Sequence, residues 1–337
     1  LKGIEQTYQA TGVSFDRVYR ESETYKLGRQ WVLKGLEEGV FYKDEDGSIW
    51  VDLEEIGLDR KVLLRADGTS LYVTQDLGTA IYRHKDYPFT RLIYVVGSEQ
   101  QYHFRVLFYI LSKLGFEWAH HLHHLSYGMV NLTDGRMKSR EGTVVDADDL
   151  LERLGGLAAE EIREKGREQE VDDVDAVAHQ IALAALHYYL LQTTPARDMT
   201  FDAKESLSFN GNTGPYLQYM GARIDSMLRK SGKQRSELLQ DESVLSLLTV
   251  QEEWDLVMML WSFPGQVERA ATEYNPQVMA AYLYDLAKLF SRYYHDHPIL
   301  NDENPDRSAA RLALTAAIGQ VFRNAFELVA IPYLEKM

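Results

Sequence analysis

Residues 91–115 read RLIYVVGSEQQYHFRVLFYILSKLG, and this stretch decides the fold class. Arg91 to Val96 is a largely apolar run of strand length. Gly97-Ser98 breaks it, and Gln101 to Leu114 then repeats apolar residues (Phe104, Leu107, Phe108, Leu111) at helical spacing. A strand that feeds straight into a helix is a βα unit. Open α/β sheets bind ligands beyond the C-terminal ends of their parallel strands. Gln100 and His103 fall at that position, although His103 on pattern alone is equally a packing residue of the helix face.

Downstream, His120, His121, His123 and His124 crowd together. As a strand they would divide between two faces, His121 with His123 and His120 with His124, and no Cys, Asp or Glu lies among them to complete a metal site. No metal role is expected. Leu125 to Val130 reads as the next strand. It feeds residues 126–150, SYGMVNLTDGRMKSREGTVVDADDL. Here Asp134-Gly135 is a turn dipeptide, and Met137-Lys138-Ser139-Arg140-Glu141-Gly142-Thr143 follows. Two cations, two hydroxyls and a glycine that lets backbone approach a ligand suit a polyphosphate. A solvated basic turn is the plainer alternative. Asp146, Asp148 and Asp149 before Leu150-Leu151 mark a helix with an acidic first turn.

Upstream, Asp46-Gly47 within 41–51 predicts a hairpin. Residues 61–83 predict a second, with Lys61 to Arg65 and Ser70 to Val73 flanking Asp67-Gly68, then a helix with Thr74 or Asp76 near its start. Tyr72 and Asp76 can present a phenol and a carboxylate to one pocket. The carboxylate suits a guanidinium, which it can bind through two hydrogen bonds. Alternatively Asp76 caps the helix. Residues 12–39 read as a turn and an amphipathic helix ending at Gly39, without evident chemistry.

The chain has 337 residues, 45% hydrophobic and 26% charged, enough for two or three domains. It has no cysteine, which excludes disulfides and Cys-based zinc sites. No apolar run approaches the roughly 18 residues that span a bilayer, and no signal-peptide pattern opens the chain. A net charge of −15 argues against coating nucleic acid through bulk electrostatics. A local basic surface remains open, and 223–235 carries one: Arg223, Arg229, Lys230, Lys233 and Arg235 against Asp225.

Residues 150–204 read as helical, with 157–171 solvated and Val174 to Gln192 a buried helix stopped by Pro195. Residues 205–337 read as all-helical. Gly211-Asn212-Thr213-Gly214-Pro215 is a turn with Pro215 in the first turn of a helix. Tyr216, Tyr219 and Arg223 then share one helix face. Phenols and a guanidinium there suit stacking on unpaired RNA bases with a phosphate contact, and a core-facing tyrosine stripe is the alternative.

Several of these strings resemble arginyl-tRNA synthetases, class I aminoacyl-tRNA synthetases. Met137 to Gly142 with Thr143-Val144 is similar to their divergent KMSKS-type loop, without a clean second lysine, so that either Lys138 or Arg140 meets the ATP phosphates. Arg65-Ala66-Asp67-Gly68-Thr69 through Tyr72 and Asp76 resembles the segment that binds the arginine side chain. Gly97-Ser98-Glu99-Gln100-Gln101-Tyr102-His103 resembles the string whose glutamine contacts arginine and whose histidine lies by ATP. Gly128-Met129 matches the segment whose backbone meets adenine. Gly211 to Arg223 matches the anticodon-binding domain, 281–294 its later helix, and Met337 the family's terminal methionine.

The resemblance implies catalytic roles for Lys138, Ser139 and Arg140. It implies arginine binding by Tyr72, Asp76 and Gln100, and ATP binding by His103, Gly128, Met129, Met137, Lys138 and Gly142. Contacts to the anticodon are implied for Tyr216, Tyr219, Arg223, Tyr293 and Met337. It further implies Mg2+ with ATP, tRNA and L-arginine as partners, a cytoplasmic monomer, and no membrane or organic cofactor. The expected architecture is α/β plus all-α: a partial Rossmann-like catalytic domain at 1–150, a helical linker at 151–204 and an anticodon-binding helix bundle at 205–337. The His-Ile-Gly-His motif is not among the 337 residues, so the expectation is a C-terminal portion of such an enzyme, inactive in isolation. A non-catalytic tRNA-binding module derived from a synthetase is the competing reading. A Rossmann dehydrogenase is disfavoured, because no Gly-x-Gly-x-x-Gly follows a strand.

Overall fold

The computed structural model describes residues 1–132, 146–169, 171, 173–233, 235–238 and 242–337. In chain order the helices among them are α1 (Lys2–Ala10), α2 (Glu21–Thr24), α3 (Arg29–Glu37), α4 (Tyr72–Asp86), α5 (Gln101–Lys113), α6 (Ala147–Glu164), α7 (Val174–Leu191), α8 (Ala203–Ser206), α9 (Gly214–Ser231), α10 (Arg235–Leu238), α11 (Gln251–Thr272), α12 (Gln277–Asp296) and α13 (Pro305–Leu328). The strands are β1 (Tyr42–Lys43), β2 (Ile49–Val51), β3 (Lys61–Leu64), β4 (Leu92–Gly97), β5 (Leu122–Tyr127), β6 (Val130–Leu132) and β7 (Met199–Phe201). They form two compact units, one of Ser14–Met129 and one of Leu1–Val13 with Val130–Met337.

In the unit Ser14–Met129, β1, β2 and β3 make an antiparallel sheet. Its first turn is the expected one: Gly47 takes φ 91°, a left-handed conformation that glycine adopts without steric cost. The second hairpin stops early. Leu64 makes a single bridge to Ser70, and Tyr72 and Val73, expected to extend a strand, open helix α4 instead. The reason is periodicity. Val73, Leu77 and Ala80 recur at helical spacing and are all buried, and this buried stripe outweighs the strand propensity of Tyr72-Val73.

Strands β4 and β5 pair in parallel, with Leu92 opposite Leu122 and Gly97 opposite Tyr127, and α5 crosses between them. The second strand begins three residues earlier than the sequence suggests, at Leu122. His120 and His121 lie in a 3-10 turn, Glu117–His121, and only His123 and His124 are in β5. Helix α4 packs on α5 over a core that includes Leu63, Leu77, Leu107 and Ile110.

In the other unit, β6 pairs in parallel with β7. That strand interrupts a region expected to be wholly helical, and its Phe201 is buried in the core shared by α6 and α7. The Asp173 carboxylate caps α7 by accepting from the N–H groups of Asp175 and Ala176 at 3.0 and 3.1 Å. Helices α9, α11, α12 and α13 enclose the largest core, built on Leu217, Ile224, Leu256, Leu283, Phe290 and Phe322. Helix α9 starts as the sequence predicts. Thr213 is its N-cap and Pro215 lies in its first turn, and Gly232 ends it at φ 68°. No helix among the described residues is long and apolar enough to cross a membrane.

Candidate functional site

Two places combine several of the expected residues. The first is at the C-terminal end of the parallel pair β4–β5. Gln100 is the exposed N-cap of α5, and His103 sits in its first turn. Gly128 and Met129 follow β5 at the same end, because Gly97 and Tyr127 are in register. Tyr72 opens α4 and is 76% exposed, with Asp76 one turn further along the same helix.

The capping alternative for Asp76 is excluded, because α4 begins four residues earlier with Leu71 as its N-cap. Instead, Asp76 Oδ2 lies 2.7 Å from His103 Nε2. A carboxylate only accepts, so the imidazole carries its proton on Nε2 and donates it. The Asp76 side chain is 50% exposed and that of His103 21%. The pair therefore offers a preoriented carboxylate with one oxygen held and its outer side open to a cation. Among the described residues no group of three or more His, Cys, Asp or Glu could hold a metal ion. The expected phosphate loop, with Met137, Lys138, Ser139, Arg140 and Gly142, lies outside the described residues.

The second place is on α9. The Arg223 guanidinium donates to the Tyr219 hydroxyl at 2.5 Å. Its carbon is 4.7 Å from the Tyr219 ring centroid and 5.1 Å from that of Tyr294, both cation–π distances. On one side of Arg223 opens a cleft of about 590 Å³ that also receives Arg167, Arg229, Lys230, Lys336 and Met337. On the other side Tyr216, Lys288, Arg292, Tyr294 and His295 line a second cleft of about 550 Å³. No Asp or Glu is among the described residues lining either one. Tyr216 and Tyr219 are only half-buried and pack against the bundle core, so the core-facing and ligand-facing readings of the stripe both describe part of each ring. Burial pushes the Tyr216 hydroxyl pKa up, which keeps it protonated.

Two expectations need correction here. Tyr293 is fully buried, and its hydroxyl donates to Glu253 Oε1 at 3.1 Å; the cleft receives its neighbour Tyr294, because one step along a helix turns the side chain by about 100°. Arg235 does not belong to the basic surface. It pairs with Asp225 at 2.9 Å, and Arg323 closes on the same carboxylate at 2.7 Å. Burial pushes the Asp225 carboxyl pKa up even so, against the pull of Arg323, Tyr333 and Arg235.

Sequence reasoning missed Arg167, Lys288, Arg292, Tyr294 and Lys336. Lys288, Arg292 and His295 stand at helical spacing, so that row was legible as one face of α12. Arg167 carries no local signal and reaches the cleft only through the packing of the chain after α6 on α9.

With this geometry in hand, comparisons with known proteins agree on one family. Residues 2–203 match the model described as tRNA synthetases class I (R), catalytic domain, and residues 217–337 match the DALR anticodon binding domain. The chain is 60% identical to an arginine–tRNA ligase of Treponema denticola over 339 residues, covering 100% of this chain and 58% of that protein. It is 58% identical to the arginine–tRNA ligase of Treponema pallidum, with the same coverage of both chains. Among solved structures, the Thermus thermophilus arginyl-tRNA synthetase superposes with a TM-score of 0.87 at 27% identity, over 99% of this chain and 62% of that one. The chain thus spans about 58% of the length of these curated relatives. On this agreement across the whole length, the chain belongs to the arginyl-tRNA synthetase family of class I synthetases.

Proposed function

We propose that the protein is part of an arginine–tRNA ligase, which activates arginine with ATP and transfers it to the 3′ end of its tRNA. The observation that carries this reading is the half-open Asp76 carboxylate held by His103 at the C-terminal end of β4–β5. Asp76 would receive the arginine guanidinium, with Tyr72 and Gln100 beside it. His103, Gly128 and Met129 would border ATP, which enters with Mg2+. The stretch 137–143 would supply Lys138, Ser139 and Arg140 to the phosphates, with Met137 and Gly142 bordering the nucleotide. In-line attack on the α-phosphate needs positioning and charge stabilisation around that phosphorus, and cations at Lys138 and Arg140 suit that role.

The α9–α12 face would bind the anticodon loop. Tyr216, Tyr219 and Tyr294 offer rings for unpaired bases, and Arg223 with the surrounding cations offers phosphate contacts. Met337 would close one side. In this reading residues 1–150 act as catalytic domain, 151–204 as a linker and 205–337 as the anticodon-binding bundle, in a cytoplasmic monomer. The end of the first family model at residue 203 and the start of the second at 217 support a boundary near 205.

The test is arginine-dependent ATP–pyrophosphate exchange and tRNA charging by the full-length enzyme. Charging of a different amino acid would overturn the reading. Exchange that survives Asp76→Asn with an unchanged arginine KM would remove Asp76 from it. RNA binding without any exchange would favour the non-catalytic tRNA-binding module.

A further inference from the structure

After α13 the chain turns back and lies along α9. Ala330 takes a left-handed φ of 52° at the turn, and the His187 ring on α7 donates from Nδ1 to its carbonyl oxygen at 2.6 Å. Gln218 donates to the Pro332 carbonyl at 2.8 Å, and the Tyr333 hydroxyl to the Gly221 carbonyl at 3.2 Å. Ile331 and Leu334 are buried. Up to Leu334 the segment is thus held by apolar burial and by bonds to α7 and α9. At Glu335 it comes out into solvent, and Lys336 and Met337 line the cleft beside Arg223. Among the described residues, the last hydrogen bonds along the segment are those of Glu335. Its carbonyl accepts from Arg229 at 3.0 Å and its carboxylate from Arg323 at 3.0 Å.

The Nη2 of Arg323 serves two carboxylates, Asp225 of α9 at 2.7 Å and Glu335 at 3.0 Å. Its guanidinium carbon lies 3.9 Å from the Tyr333 ring centroid. Its Nε is buried and has no hydrogen-bond partner among the described residues. For holding Asp225 alone this is a poor arrangement. A two-pronged grip on that carboxylate through Nε and Nη2 would be stronger and would leave no buried N–H unmet. Asp225 already has Arg235 at 2.9 Å, so Arg323 brings one positive charge more than that carboxylate balances. The stack on Tyr333 and the surplus charge both favour the setting that reaches Glu335.

We propose that Arg323 is a positioning residue for RNA recognition: by tying Glu335 to Asp225, it fixes the segment that carries Lys336 and Met337 into the cleft, and so the setting in which these two meet an anticodon loop. This rests on the reading of the α9–α12 face given under Proposed function. Asp225 lies two residues past Arg223 on α9, so the tie sets the segment against the helix that supplies the central cation of the cleft. Met337 would offer an apolar side chain to a base and Lys336 a cation to a phosphate, and both follow directly on Glu335.

Glu335→Ala and Arg323→Lys in the full-length enzyme separate this role from a structural one. Fluorescence anisotropy would compare a cognate anticodon stem-loop with one changed at a single anticodon base, and thermal melting would follow stability. Glu335→Ala should lower the preference for the cognate loop roughly fivefold, the scale of one misplaced contact. Its Tm should be nearly unchanged, because the Glu335 side chain is 65% exposed and an exposed ion pair adds little to stability. Arg323→Lys keeps a charge beside Asp225 but loses the planar group that stacks on Tyr333 and reaches Glu335, so it should lose preference to a similar extent. The double variant should lose no more than either single one, since both break the same tie. Removing the Glu335 charge by itself would tighten every RNA alike and leave the preference intact; that result would overturn the proposal. Additive losses in the double variant would overturn it as well, as would a fall in Tm without a change in preference. Arg223→Ala is measured alongside. If it weakens the cognate loop while both other variants keep the preference, only the Arg323 role falls; if it has no effect on RNA binding, both readings fall.

Discussion

Asp76 and His103 are joined by a 2.7 Å hydrogen bond between the second turn of α4 and the first turn of α5. The resemblance alone would send these residues to different substrates, the carboxylate to arginine and the imidazole to ATP. The bond makes them one unit, since the imidazole fixes the carboxylate and the carboxylate fixes the ring.

The two substitutions are therefore expected to couple. Asp76→Asn should weaken arginine far more than ATP, by about 2–5 kcal/mol for the loss of a charge-assisted contact. His103→Ala should raise the KM of both substrates, that of ATP because the ring would border the nucleotide and that of arginine because the carboxylate loses its anchor. In a double-mutant cycle on arginine-dependent pyrophosphate exchange, the interaction energy should fall at about 0.5–3 kcal/mol. Additive effects would mean that the bond has no part in binding.

Helix α4 is set against the chain before α3 by a contact between two glycines. A Cβ on Gly78 would fall 2.2 Å from the backbone nitrogen of Gly28, and one on Gly28 would fall 1.6 Å from the carbonyl oxygen of Thr74. Neither neighbour is a side chain that can swing aside. Gly78→Ala should destabilise the protein by at least the roughly 1–3 kcal/mol usual for overpacking, and should raise the arginine KM by shifting Asp76. Thermal melting and exchange kinetics check this. An alanine variant with wild-type Tm would show that the backbones separate without strain.

Much of this arrangement was legible in the sequence, and the losses have identifiable causes. The βα unit at 91–115 and the start of α9 at Thr213-Gly214-Pro215 rest on local rules of period and capping, and both formed as read. Tyr72-Val73 was misread as strand because its two residues favour strands locally, while the buried stripe Val73, Leu77 and Ala80 that fixes the helix is visible only over about two turns. Tyr293 and Tyr294 are chemically identical, and the choice between them depends on the rotation of α12 in the bundle. The pairing of Arg235 with Asp225 and Arg323, and the meeting of Gly28 with Gly78, link positions that no local pattern connects.

The buried ion network of the bundle makes a separate expectation about acid stability. Asp302 accepts from Arg307 at 2.6 and 2.8 Å and from Arg311 at 3.0 Å. The Arg307 hydrogen bonds, helped by the Asn304 backbone, hold its carboxyl pKa down to about 2 from an ordinary 3.8. A lowered folded-state pKa gives stability that is fully present above the unfolded value and lost as pH falls towards the folded one. Melting followed by circular dichroism should therefore show a drop in Tm between about pH 4 and pH 2. Asp302→Asn should be less stable at pH 7 and should show a smaller drop over that window. Parallel curves for the two proteins would mean that other carboxylates govern acid unfolding.

The last expectation separates cations that look alike in the sequence. Lys230 and Arg235 belong to one basic run, but Lys230 is exposed at the cleft beside Arg223 whereas Arg235 is held by Asp225. Binding of anticodon stem-loops would be followed by fluorescence anisotropy at several salt concentrations. Each of Lys230→Ala, Arg167→Ala, Arg292→Ala and Lys336→Ala should weaken all RNAs alike and reduce the salt slope by about one. Tyr219→Ala should instead lose preference for the cognate loop, at a cost of about 1–3 kcal/mol for one stacked base, with the salt slope preserved apart from any shift of Arg223. Arg235→Ala should lower Tm, because it leaves a buried carboxylate with one partner fewer, and should leave the salt slope of the folded protein unchanged. If Arg235→Ala lowers the slope as much as Lys230→Ala does, RNA opens the Asp225 pair when it binds. If Tyr219→Ala only lowers Tm and leaves loop preference intact, that ring serves the bundle core and the bases stack elsewhere.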